Sequence, residues 1–459
     1  MKKINLYLYI IICSIGFGAC GVLEQNSPDI VSTETVFESA DGFRAARLGM
    51  YSLMGNENYY GGFYPLALDA HSDNATTGGY DVESLNEIGE KRLTASNLFV
   101  ERMWISLYAT ANAANQILEN IDKLKAEDFD KNEKNNIKGE ALFVRALVHF
   151  DALKMFGEHW NQDSEYGIPL AIKVQRPSDI LARSSVKNTY GQIADDLRNA
   201  EMLVGNDDDK GKIFITKNAV QALFARVCIF AKDYKNATFY ANEVVKTGSY
   251  SLYDSADFSK LYSARQSQES IFELKFDVQN RSAYNALTYK RADATRPELS
   301  FFPSADLDTF FQKRKDDVRV QTADFEGNDV TIQPDGRTQK YRGENLQDNP
   351  AYVLRYAEML LILAEAKGYP TGLADLNMLR EKRGLSVLTN TDVKNEAEFK
   401  MVLVDERRAE FNMEGSRFTD LARLGLVEDV LGKGVKPVFP IPLREFLATN
   451  GTLKQYPGY

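Results

Sequence analysis

The sequence predicts a mainly α fold: a scaffold of tetratricopeptide-type helical hairpins with an irregular, partly β portion attached. Three observations predict it. Apolar residues recur at helical spacing along most of the 459 residues. Small residues stand where paired helices touch, as in Ala222-Leu-Phe-Ala225 and, after a polar turn, Ala237 and Ala241, the pattern of tight antiparallel pairs. Two long stretches break the helical pattern: 57–92 is rich in Gly, Tyr, Asn and Asp, and 250–345 mixes β-like runs such as 270–276 with polar loops.

At the N-terminus, Lys2 and Lys3 precede an apolar stretch from Leu6 to Phe17. That stretch is shorter than the roughly 20 residues of a bilayer-spanning helix and suits a signal peptide over 1–19. Small Gly18 and Ala19 lead directly into Cys20, and Phe17-Gly-Ala-Cys20 resembles a bacterial lipobox with Phe where Leu is usual. The expectation is a lipid anchor on Cys20, with several acyl chains holding the protein on a membrane without crossing it; an ordinary secretory signal with a chance cysteine is the alternative. Residues 20–34 read as a tether and 35–459 as one domain, with helical scaffold over 35–56, 93–247 and 346–430 and loops over 57–92 and 250–345. Helices are expected at 41–54 (entered through Thr35 and Glu38), 97–122, 134–156, 187–204, 216–231, 233–247, 351–368, 372–384, 395–413 and 416–424.

Composition narrows the function. Hydrophobic residues at 44% and charged residues at 26% describe a globular chain with a sizeable core. Lys plus Arg is 55 against 65 Asp plus Glu, a charge of −10; without Lys2 and Lys3 it is 53 against 65, or −12. That balance argues against nucleic acid as a partner. Three Cys and three His rule out a metal or disulfide framework. No Gly-rich phosphate loop, HExxH or GxSxG string occurs, so neither cofactor nor metal is expected.

Several conspicuous residues have structural readings. Glu406, Arg407, Arg408, Glu410, Glu414, Arg417, Asp420 and Arg423 alternate in charge at helical spacing and read as an ion-pair network between helices. Asn112 and Asn115, within an apolar helix, are expected to bond backbone groups. His149, four residues after Arg145, reads as a scaffold residue.

A set of motifs in order resembles a known family. Arg145-Ala-Leu-Val-His-Phe-Asp-Ala-Leu-Lys-Met-Phe-Gly157, Tyr190-Gly-Gln-Ile-Ala-Asp-Asp-Leu197 and Tyr352-Val-Leu-Arg-Tyr-Ala-Glu-Met-Leu-Leu-Ile-Leu-Ala-Glu-Ala366 are followed by Leu376-Asn-Met-Leu-Arg380, Glu406-Arg-Arg-Ala-Glu-Phe411 and the terminal Gln455-Tyr-Pro-Gly-Tyr459. Together, behind a lipobox, they resemble the SusD/RagB family of Bacteroidetes outer-membrane nutrient-binding lipoproteins over nearly all of the mature chain. Gly21 stands where the family often has Asp, and Tyr456 where it usually has Asn. The resemblance implies a surface-exposed lipoprotein that binds an oligomeric nutrient, a glycan foremost, and delivers it to a SusC-like TonB-dependent transporter, with no chemistry of its own. Peptide uptake of the RagB kind is the alternative within the family.

The loop 71–90 is the first ligand candidate. His71, Asp73 and Asn74 supply donors and acceptors for sugar hydroxyls, and Tyr80 an aromatic plate for the apolar sugar face. An Asp/Asn/Gly turn cluster would look similar. The second candidate, 277–302, offers Tyr284, Tyr289 and Arg291, with Asn280, Arg281 and Phe301 nearby. A helical glycoside hydrolase, the alternative from another class, needs two carboxylates about 5–9.5 Å apart. The anchor is tested directly: Cys20→Ala should abolish incorporation of a labelled fatty acid, and equal labelling of the variant would refute lipidation there.

Overall fold

The computed structural model describes residues 36–78, 82–176, 178–205, 208–288, 301–320, 322–323, 329–330, 337–338, 340–341 and 348–459. The expected signal peptide, Cys20 and the tether lie outside the described residues, as do Tyr80, Tyr289 and Arg291. Among the described residues no helix is long and apolar enough to cross a membrane.

Helix α1 (Ala40–Met54) is capped by Ser39, whose hydroxyl accepts from the Gly42 N–H; of the expected capping pair, Thr35 lies outside the described residues. Next come α2 (Phe63–Ala70), strand β1 (Ala75–Thr77) and α3 (Glu83–Gly89), so the stretch expected to be irregular contains two short helices. The scaffold continues with α4 (Leu98–Asn120), α5 (Glu133–Phe156), α6 (Val186–Leu203), α7 (Lys217–Phe230) and α8 (Tyr234–Lys246). Side chains at the four positions preceding α4, α6, α7 and α8 (Asn97, Ser185, Thr216 and Asp233) each accept a first-turn N–H.

The middle of the chain supplies β2 (Ser270–Leu274), β3 (Phe301–Pro303) and α9 (Ala305–Gln312). Then follow β4 (Ala351–Arg355), α10 (Tyr356–Lys367), α11 (Leu373–Lys382), α12 (Glu396–Phe411), α13 (Arg417–Leu424) and α14 (Leu443–Ala448). Residues 351–355, expected to be helical, are a strand, antiparallel to β2 with Leu274 opposite Ala351. Periodicity does not separate a short buried strand from a buried helix start, and here the pairing decides.

Helix α5 is the axis of the scaffold. From Gly139 to Phe156 it is buried on every side, packed among α1, α4, α6 and α7. Its polar residues must therefore find partners inside. Arg145 Nε and Nη2 donate to Asp196 at 2.8 and 2.6 Å, and Nη1 donates to Asn115 Oδ1 at 3.0 Å. Asn115 donates to the Ala171 and Lys173 carbonyls, and Asn112 accepts from the Gln175 N–H. Both asparagines thus bond backbone, that of the segment crossing α4 and not of a partner helix. His149 is fully buried, and burial pushes its imidazole down to about 3, so it stays neutral.

A buried ion-pair network joins the middle segment to the C-terminal helices. The Glu410 carboxylate receives Arg355 Nη1 at 2.8 Å, Arg383 at 3.0 Å and Arg319 Nη1 at 3.3 Å. Glu406 receives Arg314, Arg319 and Arg380, and Glu414 receives Arg355 and Lys340. Burial alone would raise the Glu406 and Glu410 carboxyls; Arg319, Arg314 and Arg380 around the first and Arg383, Arg355 and Arg319 around the second outweigh it and hold both below the carboxylate range. Removing one member strands buried charge, which costs about 3–5 kcal/mol. Glu410→Ala should therefore lower unfolding free energy by about that amount in a urea titration. Glu90→Ala, which breaks an exposed pair with Arg92, should leave the midpoint within error.

Candidate functional site

The two stretches that interrupt the helical period converge. Strand β1 from the first pairs antiparallel with β3 from the second, in the register Ala75–Pro303, Thr76–Phe302 and Thr77–Phe301. Around this ribbon the Ala283 N–H donates to the Gly61 carbonyl at 2.8 Å, the Tyr284 hydroxyl donates to the Tyr60 carbonyl at 2.8 Å, and Ser304 N–H donates to the Asn74 carbonyl at 3.0 Å. The segment 60–62 is itself held from below. Tyr59 and Tyr60 hydroxyls donate to the same Asp151 oxygen on α5, at 2.6 and 2.9 Å, and Lys154 Nζ lies 2.8 Å from the other oxygen.

Four of the seven sequence candidates lie on the inner side of the ribbon or packed beneath it. His71 is buried between the rings of Phe418 and Phe439, with Nδ1 3.1 Å from the Ile88 carbonyl. Asn74 is buried, donating to Asp69 and accepting from Arg408 Nε. Asp73 is clasped by Arg417, whose Nε and Nη2 each donate at 2.8 Å, with Arg408 Nη2 at 3.1 Å. Burial would raise the Asp73 carboxyl, but the Arg417 hydrogen bonds and the Arg408 charge hold it below its ordinary range. Tyr284 is 2% exposed and stacks on Tyr341 at 4.0 Å between centroids. None of the four offers a free group to a sugar at the surface: donors and acceptors that suit hydroxyls also suit the loop's own backbone and the arginines of α12 and α13. Tyr80, Tyr289 and Arg291 lie outside the described residues.

The outward side of the ribbon carries a different set. Directly opposed residues of a ribbon point to one face, so Thr76 and Phe302 stand side by side, both half-buried, while Phe301 and Pro303 turn inward. The Phe302 ring lies over Gly78, where a Cβ would come within 2.8 Å of it. Nearby in the chain, the turn 277–281 leaves Asn280 and Arg281 exposed. Strand alternation across Phe301-Phe302-Pro303 is the sequence signal that singles out Phe302. The carboxylates Glu406, Glu410 and Glu414 are engaged by arginines and Lys340 in the interior, and the first two, held ionised, are unsuited to donating a proton as a glycosidase acid must.

Comparison with known proteins adds to this geometry. A SusD-like profile described as "Starch-binding associating with outer membrane" matches residues 24–229, and the SusD family profile matches 328–438. SusD-like protein P2 of Formosa agariphila is 25% identical over the whole of both chains. SusD-like protein P25 of the same organism is 22% identical over 97% of each. Among solved structures, a SusD superfamily protein from Bacteroides thetaiotaomicron is 23% identical and superposes with a TM-score of 0.79 over 91% of this chain and 100% of its own. A laminarin-binding SusD-like protein is 20% identical, with a TM-score of 0.76 over 92% of this chain and 100% of its own. At these identities the two structural likenesses speak for a common fold.

Two titrating groups at the C-terminal end of α2 oppose one another. Burial pushes Asp69 up to about 7, against hydrogen bonds from the Gly415 N–H and the Asn74 amide. Burial pushes His71 down to about 3. Folded Asp69 keeps a proton that the unfolded chain releases, so its contribution is present in acid and is lost as pH rises through 7. His71 does the reverse: its contribution is present above 6.5, its ordinary value, and is lost as pH falls from there. Asp69→Asn removes only the first effect. Between pH 7 and pH 5 the variant should lose about 2–3 kcal/mol more stability than the parent, at about 1.4 kcal/mol per proton and pH unit. Parallel stability–pH curves for the two proteins would refute the buried, protonated carboxyl.

Proposed function

Because the chain belongs to the SusD/RagB family, we propose that it is a carbohydrate-binding lipoprotein of the outer membrane, anchored through Cys20, that captures an oligosaccharide at the cell surface and hands it to a SusC-like TonB-dependent transporter. The description of the first profile, starch binding in association with the outer membrane, supports the class of ligand and the location. The laminarin-binding neighbour supports a glucan among the glycans to be tried.

The observation that carries the reading is the joining of the two segments that interrupt the helical period into one face by the β1–β3 ribbon. On that face the Phe302 ring, the Thr76 hydroxyl and a bare glycine backbone lie together. A sugar presents apolar C–H groups on its faces and hydroxyls at its rim, so an aromatic plate beside a small hydroxyl group is complementary to it. Tyr80, Tyr289 and Arg291 remain candidates for the same ligand, since 79–81 follows β1 and 289–300 precedes β3 in the chain.

The energetic weight of the ring is calculable. A stacked sugar that covers about 60 Å² of Phe302 gains roughly 1.5 kcal/mol, at about 25 cal/mol per Å². Phe302→Ala should therefore weaken binding about tenfold. Isothermal titration against α- and β-glucan oligosaccharides is the measurement, with the thermal midpoint recorded alongside. Parent-like affinity in the variant would remove the ribbon from the site. New reducing ends during incubation would replace binding by hydrolysis.

A further inference from the structure

An open groove of about 540 Å³ runs between α8, α10, α12 and α13. That is within the roughly 300–1,000 Å³ of small-molecule sites. None of its lining residues belongs to the β1–β3 ribbon, yet the two share a helix. Arg417, which clasps Asp73, is the first residue of α13, and Leu424 in the groove is the last. At 1.5 Å per residue, about 10 Å of helix separates them.

The depth of the groove is electrically balanced. Arg423 gives both Nη atoms to Glu365 and its Nε to Asp420, which also receives Arg407 Nε. Lys367 is likewise paired, with Asp375. Leu403, Val404, Leu424 and Ala366 supply aliphatic wall between these pairs. The exposed rim is less fully engaged. Lys400 Nζ is 3.9 Å from Glu396 Oε1, beyond hydrogen-bond distance, while Glu396 Oε2 accepts from the Tyr369 N–H. Lys232 Nζ donates to the Trp160 carbonyl at 3.2 Å and forms no ion pair among the described residues. Tyr234, the first residue of α8, is 44% exposed and lines the groove. Burial raises its phenol above the ordinary range and the Glu365 and Glu396 charges add to that, so the hydroxyl end lies among the groove's own carboxylates.

We propose that the groove is a second binding site for a neutral oligosaccharide, separate from the ribbon, with Tyr234 as its stacking residue. This rests on the reading of the chain as a carbohydrate-binding protein. The chemistry selects the ligand. A ligand of one charge would be repelled by part of a rim that carries both signs. A wholly apolar one would strip water from Lys232, Lys400 and Glu396 and return no hydrogen bond. A neutral sugar meets both demands: its C–H face covers the Tyr234 ring, and its hydroxyls donate to Glu396 and accept from Lys232 and Lys400.

Isothermal titration of the full chain with short α- and β-glucan oligosaccharides tests the groove, with the thermal midpoint of each variant recorded. The parent should show two sites per chain. Tyr234→Ala should weaken one of them about tenfold, the weight of one stacked ring, and leave the other unchanged. Phe302→Ala should do the reverse. Lys400→Met, at a residue whose side chain is 60% exposed, should weaken the Tyr234-dependent site several-fold without moving the midpoint. A single site that is lost in Phe302→Ala and untouched by Tyr234→Ala and Lys400→Met overturns the groove and leaves the proposed function standing. A single site lost in Tyr234→Ala alone supports the groove and removes the ribbon. A parent that binds none of the glucans overturns the groove together with the reading it rests on.

Discussion

The structure depends on Glu410. Its carboxylate stands at the meeting point of three arginines from three separate parts of the chain: Arg319 after α9, Arg355 at the end of β4 and Arg383 just past α11. Its backbone carbonyl accepts from Lys340 and Arg355 as well. Such a group is strongly destabilising when any partner is missing, because the remaining charges have no water to turn to. The fold therefore tolerates only the arrangement in which middle segment, hairpin and C-terminal helices come together at once. Burying that much charge gives less net stability than apolar packing would; its effect here is to fix which segment goes where.

The face read as ligand-binding inherits its position from two such anchorages. From one side, Asp151 on α5 holds Tyr59 and Tyr60, and the backbone of residues 60–61 in turn holds Tyr284 and Ala283. From the other, Arg417 and Arg408 hold Asp73, just before β1. The α12–α13 turn comes so near α2 that only glycine fits at 415: it has φ +83°, and a Cβ there would lie 2.5 Å from Pro65 Cα. The Gly415 N–H then reaches the Asp69 carboxylate at 3.0 Å. Loops that would otherwise sample many shapes are thus docked on rigid helices, and rigidity of this kind reduces the ordering cost of binding.

Much of the scaffold was legible in the sequence. The helices from α4 to α8 and from α11 to α13 lie within a few residues of where the apolar period puts them, since a helix is a local structure whose period and caps are written in neighbouring residues. The charge alternation over 406–423 likewise announces an ion-pair network. The family resemblance rests on strings that fold into these same elements. The two short helices α2 and α3 escape a reading by period because Gly, Tyr and Asn dominate their surroundings. Strand β4 reads as a helix start because the short run Ala351–Leu354 carries no period of its own.

By itself, then, the sequence determined the helical scaffold, its family and the two segments that interrupt it. Only the tertiary structure decided which side chains those segments present. His71, Asp73, Asn74 and Tyr284 have chemistry that suits a sugar, yet they face Phe418, Arg417, Arg408 and Tyr341. Phe301 and Phe302 are chemically identical neighbours, and the strand pairing alone sends one into the core and leaves the other half-exposed beside Thr76. The reason is physical: a polar loop gains as much from arginines and carbonyls of its own fold as from a ligand. The choice between them is made by contacts hundreds of residues away, such as Arg417 on Asp73.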